Sequence, residues 1–335
     1  MKAIVSTKYG PPEVLELKDV EKPDPKENEI LVKIQATSVN YGDLLARRFN
    51  QISPGEFNMP LLFWLPAKIF FGLRTPNIKI LGSEFAGEIE SIGPSVTRFK
   101  PGDQVFGYLG QNMGAYAEYL CMPEDRMVAI KPANLTYEES ATVPMGAIMA
   151  LSLLRRVNIQ PGQRVLINGA SGGIGSQAVQ IAKHHFGAEV TGVCGTQRLE
   201  FVKSLGADQV VDYTQEDFTQ NSQSYDLVFD ILGRQRFSQV KQSLKPNGQL
   251  LYASFKLRHL LQMLWTSFIG SKKVICAMAS ENVEDLNSIS EFVEAGKIKS
   301  IIDKRYPLEQ AAEAHRYVEA GHKKGHVIIT VGQGT

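Results

Sequence analysis

The segment Arg164-Val165-Leu166-Ile167-Asn168-Gly169-Ala170-Ser171-Gly172-Gly173-Ile174-Gly175 decides the fold of this chain. Its first five residues read as an apolar strand, the glycine-rich turn comes next, and an amphipathic helix over Ser176–Phe186 follows at once. A strand that leads through glycines into a helix is typical of a βαβ crossover in a parallel sheet. The segment therefore predicts an α/β protein with a doubly wound parallel sheet built around this turn.

The same turn predicts a dinucleotide site. Gly172 lets the backbone approach a pyrophosphate, Gly175 lets the helix pack closely on the strand, and the helix N-terminus offers free N–H groups. The pattern is Ala-x-Gly-x-x-Gly, with Ala170 where the fingerprint usually has its first glycine. A tight turn of purely structural importance is the alternative. The predicted phosphate-binding residues are Gly169, Ala170, Ser171, Gly172, Gly173, Ile174 and Gly175.

The residues after the next strand, Glu189–Cys194, indicate which dinucleotide binds. An NAD site normally has Asp or Glu about 20 residues after the glycines, where it binds the ribose 2′-hydroxyl. Here the sequence reads Gly195-Thr196-Gln197-Arg198, without an acid. Thr196 can donate a hydrogen bond and Arg198 can pair with a 2′-phosphate. We therefore predict NADPH as the cofactor; the alternative is that Arg198 is a solvated residue in the first turn of a helix.

The rest of the chain divides around this unit. The first ~120 residues read as short strands between turns rich in Gly and Pro, and no long helix is expected before Tyr137. From Glu138 the pattern changes to a helix over Glu138–Val157 and then to alternating strands and helices. The late strand His326–Val331 is expected to return to the β-rich first part. The predicted domains are 1–126 (β-rich), 127–278 (dinucleotide-binding) and 279–335 (return to the first).

Composition restricts the function. The chain of 335 residues is long enough for two domains, and its 36 Lys and Arg balance 35 Asp and Glu. This balance argues against nucleic acid as a partner, because phosphate contacts need a clustered basic surplus. The three cysteines lie far apart, so they form no disulfide framework and no pair at metal-ligand spacing. With an N-terminus that lacks a signal-peptide core, they indicate a cytoplasmic protein.

Two apolar segments need a separate interpretation. Met59–Phe71 is shorter than the ~20 residues of a spanning helix and is interrupted by two prolines and a lysine, so we predict no transmembrane segment. We interpret it as an apolar loop over a cleft or at a subunit interface, with docking near lipid-borne substrates as an alternative. Phe255–Ile269 is interpreted as a substrate mouth, a dimer contact or a buried helix face.

Four motifs carry a resemblance to a known family. They are Asn40-Tyr41-Gly42-Asp43, Gly82-Ser83-Glu84, the turn Ala170–Gly175, and Gly206-Ala207-Asp208 followed by Asp212-Tyr213. With these motifs the chain resembles the medium-chain dehydrogenase/reductase superfamily over nearly its whole length, and more narrowly its quinone oxidoreductase and zeta-crystallin branch. The resemblance implies a Rossmann-type domain inserted in a GroES-like catalytic domain. It also implies a homodimer, for which the apolar strand Lys273–Met278 is a weak indication.

The zinc positions of that superfamily are vacant in this sequence. Its zinc alcohol dehydrogenases have a Cys in the region of Asn40–Asp43 and a His where Ser83 stands, whereas residues 1–120 contain neither Cys nor His. Without a Lewis acid, alcohol oxidation loses its usual stabilisation of an alkoxide, but a quinone or enone can accept hydride directly. We therefore predict a zinc-independent, NADPH-dependent reductase whose partner is a small electrophile, a quinone or similar carbonyl.

The resemblance also implies roles for individual residues. Asn40 and Asp43 would lie near the nicotinamide ribose, and Tyr41 is the nearest candidate proton donor, with a packing aromatic as the alternative. Tyr213 would lie beside the 2′-phosphate with Arg198. The implied cofactor cleft is completed by Thr142, Leu232, Gly233 and Ser254.

Two other functions stay open. A 2-alkenal or enoyl reductase needs the same cofactor and the same kind of apolar pocket. A non-catalytic NADPH-binding structural or regulatory protein would keep the fold without the chemistry.

Overall fold

The computed structural model describes residues 1–57, 59–321 and 323–332. The strands are β1 (Lys2–Val5), β2 (Glu16–Asp19), β3 (Glu29–Val39), β4 (Glu84–Ile92), β5 (Gln104–Tyr108), β6 (Tyr119–Pro123), β7 (Val128–Ile130), β8 (Arg164–Asn168), β9 (Glu189–Cys194), β10 (Gln209–Asp212), β11 (Tyr225–Asp230), β12 (Leu244–Tyr252), β13 (Lys273–Cys276), β14 (Ile302–Pro307) and β15 (His326–Thr330). The α-helices are α1 (Tyr41–Arg47), α2 (Trp64–Phe71), α3 (Tyr137–Ser140), α4 (Pro144–Leu154), α5 (Gly173–His184), α6 (Leu199–Ser204), α7 (Phe237–Val240), α8 (Leu257–Phe268), α9 (Val283–Glu294) and α10 (Ala311–Glu319).

The middle of the chain forms a parallel six-stranded sheet. Its strand order is β10-β9-β8-β11-β12-β13, and every neighbouring pair is parallel. Counted in chain order this is 3-2-1-4-5-6, the doubly wound arrangement that the glycine turn predicts. The order reverses between β8 and β11, so the loops after these two strands open a crevice at one edge of the sheet.

The two ends of the chain build a second sheet together. Its order is β14-β15-β3-β4-β5-β7, with β6 also paired to β3. The closing strand β15 runs antiparallel to β3, from Val327 opposite Val39 to Thr330 opposite Ala36. The predicted return of the last strand is thus confirmed. Because β7 pairs with β5, the β-rich first part extends past the predicted boundary at residue 126. The edge strand β14 was not predicted, since its largely polar sequence shows no alternation.

One helix prediction is wrong in detail. The single helix expected over Glu138–Val157 is two helices, because Pro144 has no N–H to donate and instead occupies the first turn of α4. The expectation for the part before Tyr137 concerned long helices only, and the structure has two short ones there, α1 and α2. These helices have 7 and 8 residues, too few for periodicity to reveal them.

Helix α4 lies between the sheets and joins their cores. Its Ala147, Ile148 and Leu151 are fully buried. They belong to one apolar cluster that includes Ala86 of the β-rich sheet and Ile167 of the parallel sheet. The crevice is therefore bordered by two parts that share a core.

Both apolar segments contain a surface helix. In α8, Leu260 and Met263 pack against the parallel-sheet core, whereas Leu261 and Phe268 are exposed, so the buried-face interpretation of Phe255–Ile269 fails for most of its large residues. Met59–Phe71 contains α2 rather than a loop alone. Within the described residues, no helix has both the length and the apolar character needed to cross a membrane.

Candidate functional site

A cavity of about 850 Å3 lies in the crevice where the strand order reverses. The glycine turn and the N-terminus of α5 form one wall, and the start of α1 forms the facing wall. The segment that leads into β15 closes a third side with Lys323 and His326. The residues of the predicted site that line this cavity are Asn40, Tyr41, Gly169, Gly172, Gly173, Ile174, Gly175, Leu232 and Ser254.

The glycine turn depends on missing side chains. Gly169 has a φ of +93°, and a Cβ atom there would lie 3.3 Å from Leu232 Cγ. A Cβ at Gly175 would collide with the carbonyl oxygen of Gly169, whereas one at Gly173 would meet nothing within 4 Å. Gly172 is the N-cap of α5 and supplies no side-chain cap, so the first amides of this 12-residue helix remain available to a ligand. The glycine turn and the first amides of α5, together called the glycine cradle below, fit a pyrophosphate.

The loop after β11 is held by one buried carboxylate. Asp230 accepts hydrogen bonds from the Asn168 side chain at 2.9 Å and from the amides of Leu232 and Gln235 at 3.2 and 2.8 Å. Burial raises the pKa of Asp230, while these donors act in the opposite direction. The ends of β8 and β11 are thus tied together, which places Leu232 against the glycine turn.

Asn40 and Asp43 form a capping box at the start of α1. The Asn40 side chain accepts from the amides of Gly42 and Asp43, and Asp43 accepts from the Asn40 amide at 2.9 Å. Asn40 Nδ2 also donates to Ser83 Oγ at 2.7 Å. Asp43 is fully buried and lies outside the cavity lining, so its carboxylate organises the helix rather than facing the cleft. Tyr41, the first residue of α1, is half-exposed and lines the cavity.

Glu84 joins the β-rich sheet to helix α4. Its carboxylate accepts from Ser38 Oγ and from the amide of Met145 at 2.8 Å, which joins β4 to the start of α4. It is buried, lines the cavity, and its pKa is raised by that burial. Lys323 lies close enough to act on Glu84 electrostatically, and burial lowers the pKa of the Lys323 amine. Burial also lowers the pKa of His326 to about 3.

The predicted 2′-phosphate residues lie beside one another at the ends of β9 and β10, outside the cavity lining. Thr196 Oγ1 donates to Asp212 at 2.5 Å, and this bond lowers the pKa of Asp212. Arg198 donates to the carbonyl oxygens of Gly321 and Lys323, at 3.1 Å in the second case. Tyr213 is exposed, and its hydroxyl would lie 3.4 Å from a Cβ at Gly195.

The remaining predicted residues lie outside the lining. Ala170 and Thr142 are fully buried, and Thr142 Oγ1 contacts the carbonyl of Glu139 at 2.7 Å. Gly233 has a φ of +63° and leaves no room for a Cβ beside Ser254. Ser171 is half-buried within the turn.

The sequence analysis gave no role in the site to four polar residues of this region, although two of them stand in the motifs quoted there: Glu84, Asp212, Lys323 and His326. A signal existed for Glu84, since a charged residue at the start of a buried strand needs a buried partner. Lys323 and His326 reach the cavity only because the closing strand returns. Within the described part of the chain, no group of three or more His, Cys, Asp or Glu side chains is arranged to hold a metal ion.

Comparison with known proteins gives two matching family models. Residues 26–132 match the alcohol dehydrogenase GroES-like domain, and residues 205–329 match a model described as zinc-binding dehydrogenase. A chloroplastic quinone-oxidoreductase homologue of Spinacia oleracea is 33% identical, covering 98% of this chain and 98% of the relative. A chloroplastic NADPH-dependent alkenal/one oxidoreductase of Arabidopsis thaliana is 28% identical, covering 98% of this chain and 79% of the relative.

A solved structure of a related protein has the same fold as this chain. The quinone oxidoreductase from Coxiella burnetii superposes with a TM-score of 0.83 at 28% identity, covering 99% of each chain. The two sheets described above therefore correspond to a GroES-like domain and a Rossmann-type domain. Together with the 33% identity over the full length, this likeness establishes that the chain is an oxidoreductase that belongs to the quinone oxidoreductase-like branch of the medium-chain dehydrogenase/reductase superfamily.

Proposed function

We propose that this protein transfers hydride from NADPH to a quinone or a similar electrophilic carbonyl compound, without zinc. The observation that carries the proposal is the shared cavity of about 850 Å3, which the glycine cradle and the start of α1 line from opposite sides. The glycine turn and the first amides of α5 would hold the dinucleotide, and Asn40 and Tyr41 at the start of α1 line the same cavity, where a hydride acceptor could bind. The names of the relatives, a quinone-oxidoreductase homologue and an alkenal/one oxidoreductase, agree with such acceptors.

The chain's own residues would position the reactants and supply a proton. The bound cofactor supplies a hydride, and a quinone that takes up this hydride and one proton becomes a hydroquinone. Tyr41 lines the cavity and carries a hydroxyl that can donate the proton, which solvent then replaces. Leu44, Ile52 and Ile231 give the cavity an apolar part, beside charged lining residues, and would keep water from the reacting atoms there. Asn40 caps α1 and so fixes the helix end that carries Tyr41.

The side chains that line the cavity support a zinc-independent reaction. Where the related zinc enzymes have an imidazole, Ser83 presents a hydroxyl that is already bonded to Asn40. The described lining contains no thiol and a single imidazole, that of His326. A catalytic zinc site needs about three ligands among Cys, His, Asp and Glu side chains, and the described residues group no three of these so that they could hold an ion. Activity should therefore survive prolonged treatment with a chelator.

NADPH is proposed over NADH on the charge of Arg198. Its donors reach two backbone carbonyls, which are uncharged, so its positive charge remains to attract a 2′-phosphate. Asp212, one hydrogen bond away from Thr196, acts in the opposite direction. Arg198→Ala should weaken NADPH binding about tenfold, the equivalent of about 1.4 kcal/mol, and NADH binding much less. Asp212→Asn should shift preference further toward NADPH.

Titration of cofactor fluorescence with wild type and both variants tests this proposal. Equal losses of NADPH and NADH in Arg198→Ala would mean that Arg198 acts only by holding the loop around Gly321. Tighter binding of NADH than of NADPH by the wild type would overturn the choice of cofactor.

Reduction of a conjugated C=C bond is the second candidate, favoured by the alkenal/one oxidoreductase relative. Following NADPH absorbance with a panel of quinones, 2-alkenals and enones separates the two. Turnover of quinones alone supports the first proposal, and turnover of alkenals alone replaces it. Tight NADPH binding without turnover of any acceptor would instead identify a structural or regulatory nucleotide-binding protein.

We also propose a homodimer. The supporting observation is that β13 is the edge strand of the parallel sheet, with backbone groups on its outer side that a second copy can pair with. Light scattering should give twice the mass of the chain, and the mass of a single chain would refute the proposal.

A further inference from the structure

The exposed apolar surface of this protein is concentrated in two segments. Nineteen large apolar side chains are exposed among the described residues, and seven of them lie in 61–73 and six in 257–269. They include Leu62 at 80% exposure in the turn before α2, and Trp265 at 54% and Phe268 at 82% in α8. Scattered apolar residues need no explanation, but apolar side chains concentrated in this way mark an interaction surface.

The two segments flank the same rim of the cavity. Lys256, the N-cap of α8, donates from Nζ to the carbonyl of Gly55, at 2.6 Å, in the loop that precedes α2. The inner face of α2 packs through Phe71 on Phe49, with ring centroids 4.5 Å apart, and α2 thus joins the cluster that contains Ile52. Ile52 lines the cavity. We call the exposed faces of 61–73 and 257–269 the rim surface.

The sequence segments that contain the rim surface carry charge of one sign. Residues 57–83 contain no Asp or Glu, but they contain Lys68, Arg74 and Lys79. Residues 231–280 also contain no acid, against eight Lys and Arg, of which Lys245 pairs with Asp226. Glu56, which borders the first of these segments, is turned back to the amide and hydroxyl of Ser53. In a chain whose total charge nearly balances, these two segments hold a local basic surplus next to the exposed apolar side chains.

We propose that the rim surface docks on an anionic lipid bilayer. Leucine and aromatic side chains on one face of a helix insert at the boundary between headgroups and acyl chains, and nearby Lys and Arg bind anionic headgroups. A second copy of the chain fits less well. A symmetric interface would place the same basic surplus on both sides and oppose like charges. A lipid-dissolved acceptor could then enter the cavity from the bilayer, a consequence that rests on the proposed function, whereas docking does not.

Intrinsic fluorescence offers a direct test, because the chain has two tryptophans and each helix of the rim surface carries one, Trp64 in α2 and Trp265 in α8. Vesicles of phosphatidylcholine mixed with phosphatidylglycerol should shift the emission to shorter wavelength and sediment with the full-length protein. Vesicles of phosphatidylcholine alone should do so much less, and added salt should weaken binding, because it screens the basic residues.

Matched variants assign the effect to the rim surface. Leu62→Gln combined with Phe268→Gln should reduce vesicle partitioning by at least about tenfold, because two large apolar side chains lose their burial. Ile130→Gln, at a residue of β7 that is 53% exposed, is the control and should bind as the wild type. Arg74→Gln with Arg258→Gln should remove the preference for anionic vesicles, whereas the exposed pair Lys33→Gln with Lys100→Gln should keep it.

Each result decides the proposal. No spectral shift, equal binding of neutral and anionic vesicles, or unchanged binding of the Leu62 and Phe268 variant would overturn it. A lower mass of that variant by light scattering would also overturn it, since a second copy would then cover the rim surface. None of the substituted residues lines the cavity, so NADPH oxidation with a water-soluble acceptor should be unchanged in all variants. Absence of that activity in every protein would count against the proposed function and not against docking.

Discussion

Gly173 and Gly175 are two positions apart in one turn, yet a methyl group at each would meet very different surroundings. At Gly175 it would collide with the Gly169 carbonyl and lie 2.8 Å from Ala170 Cα, all rigid backbone. At Gly173 it would meet nothing within 4 Å. We expect Gly175→Ala to lower the free energy of unfolding by about 1–3 kcal/mol, as overpacking does, and Gly173→Ala to change it by less than about 0.5 kcal/mol.

Urea unfolding of the two variants beside the wild type measures this difference. Similar stability of Gly175→Ala and Gly173→Ala would show that the turn relaxes around a methyl group, and that close packing of α5 on β8 does not explain the glycine at 175.

Single residues were predictable from sequence where their role is local. The glycines act through their own backbone and immediate neighbours, so their spacing was enough to find them. Glu84, Lys323 and His326 act through residues far away in the chain, and only the pairing of β15 with β3 brings the last two to the cavity. Asp212 was quoted as part of a motif, but its bond to Thr196 follows from the register of β10 against β9.

At the scale of elements, α1 carries a buried acid at its N-terminal cap. Burial raises the pKa of the Asp43 carboxyl from 3.8 to about 7, although the Asn40 amide and other donors stabilise the carboxylate. Between these two values the unfolded chain has lost this proton while the folded chain retains it. The free energy of unfolding therefore falls as pH rises from about 4 to about 7, because the folded chain must lose the Asp43 proton too. Above that range it falls no further on account of Asp43.

Asp43→Asn should reveal that loss of stability, because an amide keeps an oxygen for the cap and cannot ionise. Relative to the wild type, the variant should gain on the order of 2 kcal/mol in unfolding free energy when pH is raised from about 5 to about 8. Denaturant unfolding at both pH values measures the change. Asp19→Asn, on the exposed strand β2, is the control and should show no such change. A constant difference between Asp43→Asn and the wild type would mean that Asp43 is ionised throughout.

Elements were predictable where one pattern dominates. The strands β8 and β9 are apolar runs between turns, and their predicted bounds are confirmed. The helix at 138–157 was divided at Pro144, because the pattern of apolar residues continues through a proline that the backbone cannot accommodate mid-helix. Helix α8 is amphipathic, but most of its large apolar side chains are exposed while His259 and Thr266 are buried, so the rule that an apolar face packs inward does not identify its buried face.

At the scale of the whole molecule, the cavity belongs to two sheets that share one core. Helix α4 is buried between them, and Glu84 accepts from Met145 at the start of that helix. The chain crosses between the two parts in both directions, since β14 and β15 complete the first sheet. The return of the chain to the first sheet could be inferred in outline from the late strand β15. The shared core could not be inferred, because an alternating pattern shows that a face is buried but not which element packs against it.

A ligand in this cavity should therefore stabilise the molecule as one unit. A ligand that binds only the folded state at a free concentration of about 100 times its Kd adds about 2.7 kcal/mol. The glycine cradle lies at the start of α5, the facing wall lies at the start of α1, and α4 couples the two sheets. We therefore expect NADPH to move a single unfolding transition to higher temperature. Scanning calorimetry with and without NADPH measures it, and Gly175→Ala, with its cradle disturbed, should show a smaller shift. Two transitions, of which NADPH moves only one, would mean that the Rossmann-type domain unfolds independently and that the core around α4 does not couple the two sheets.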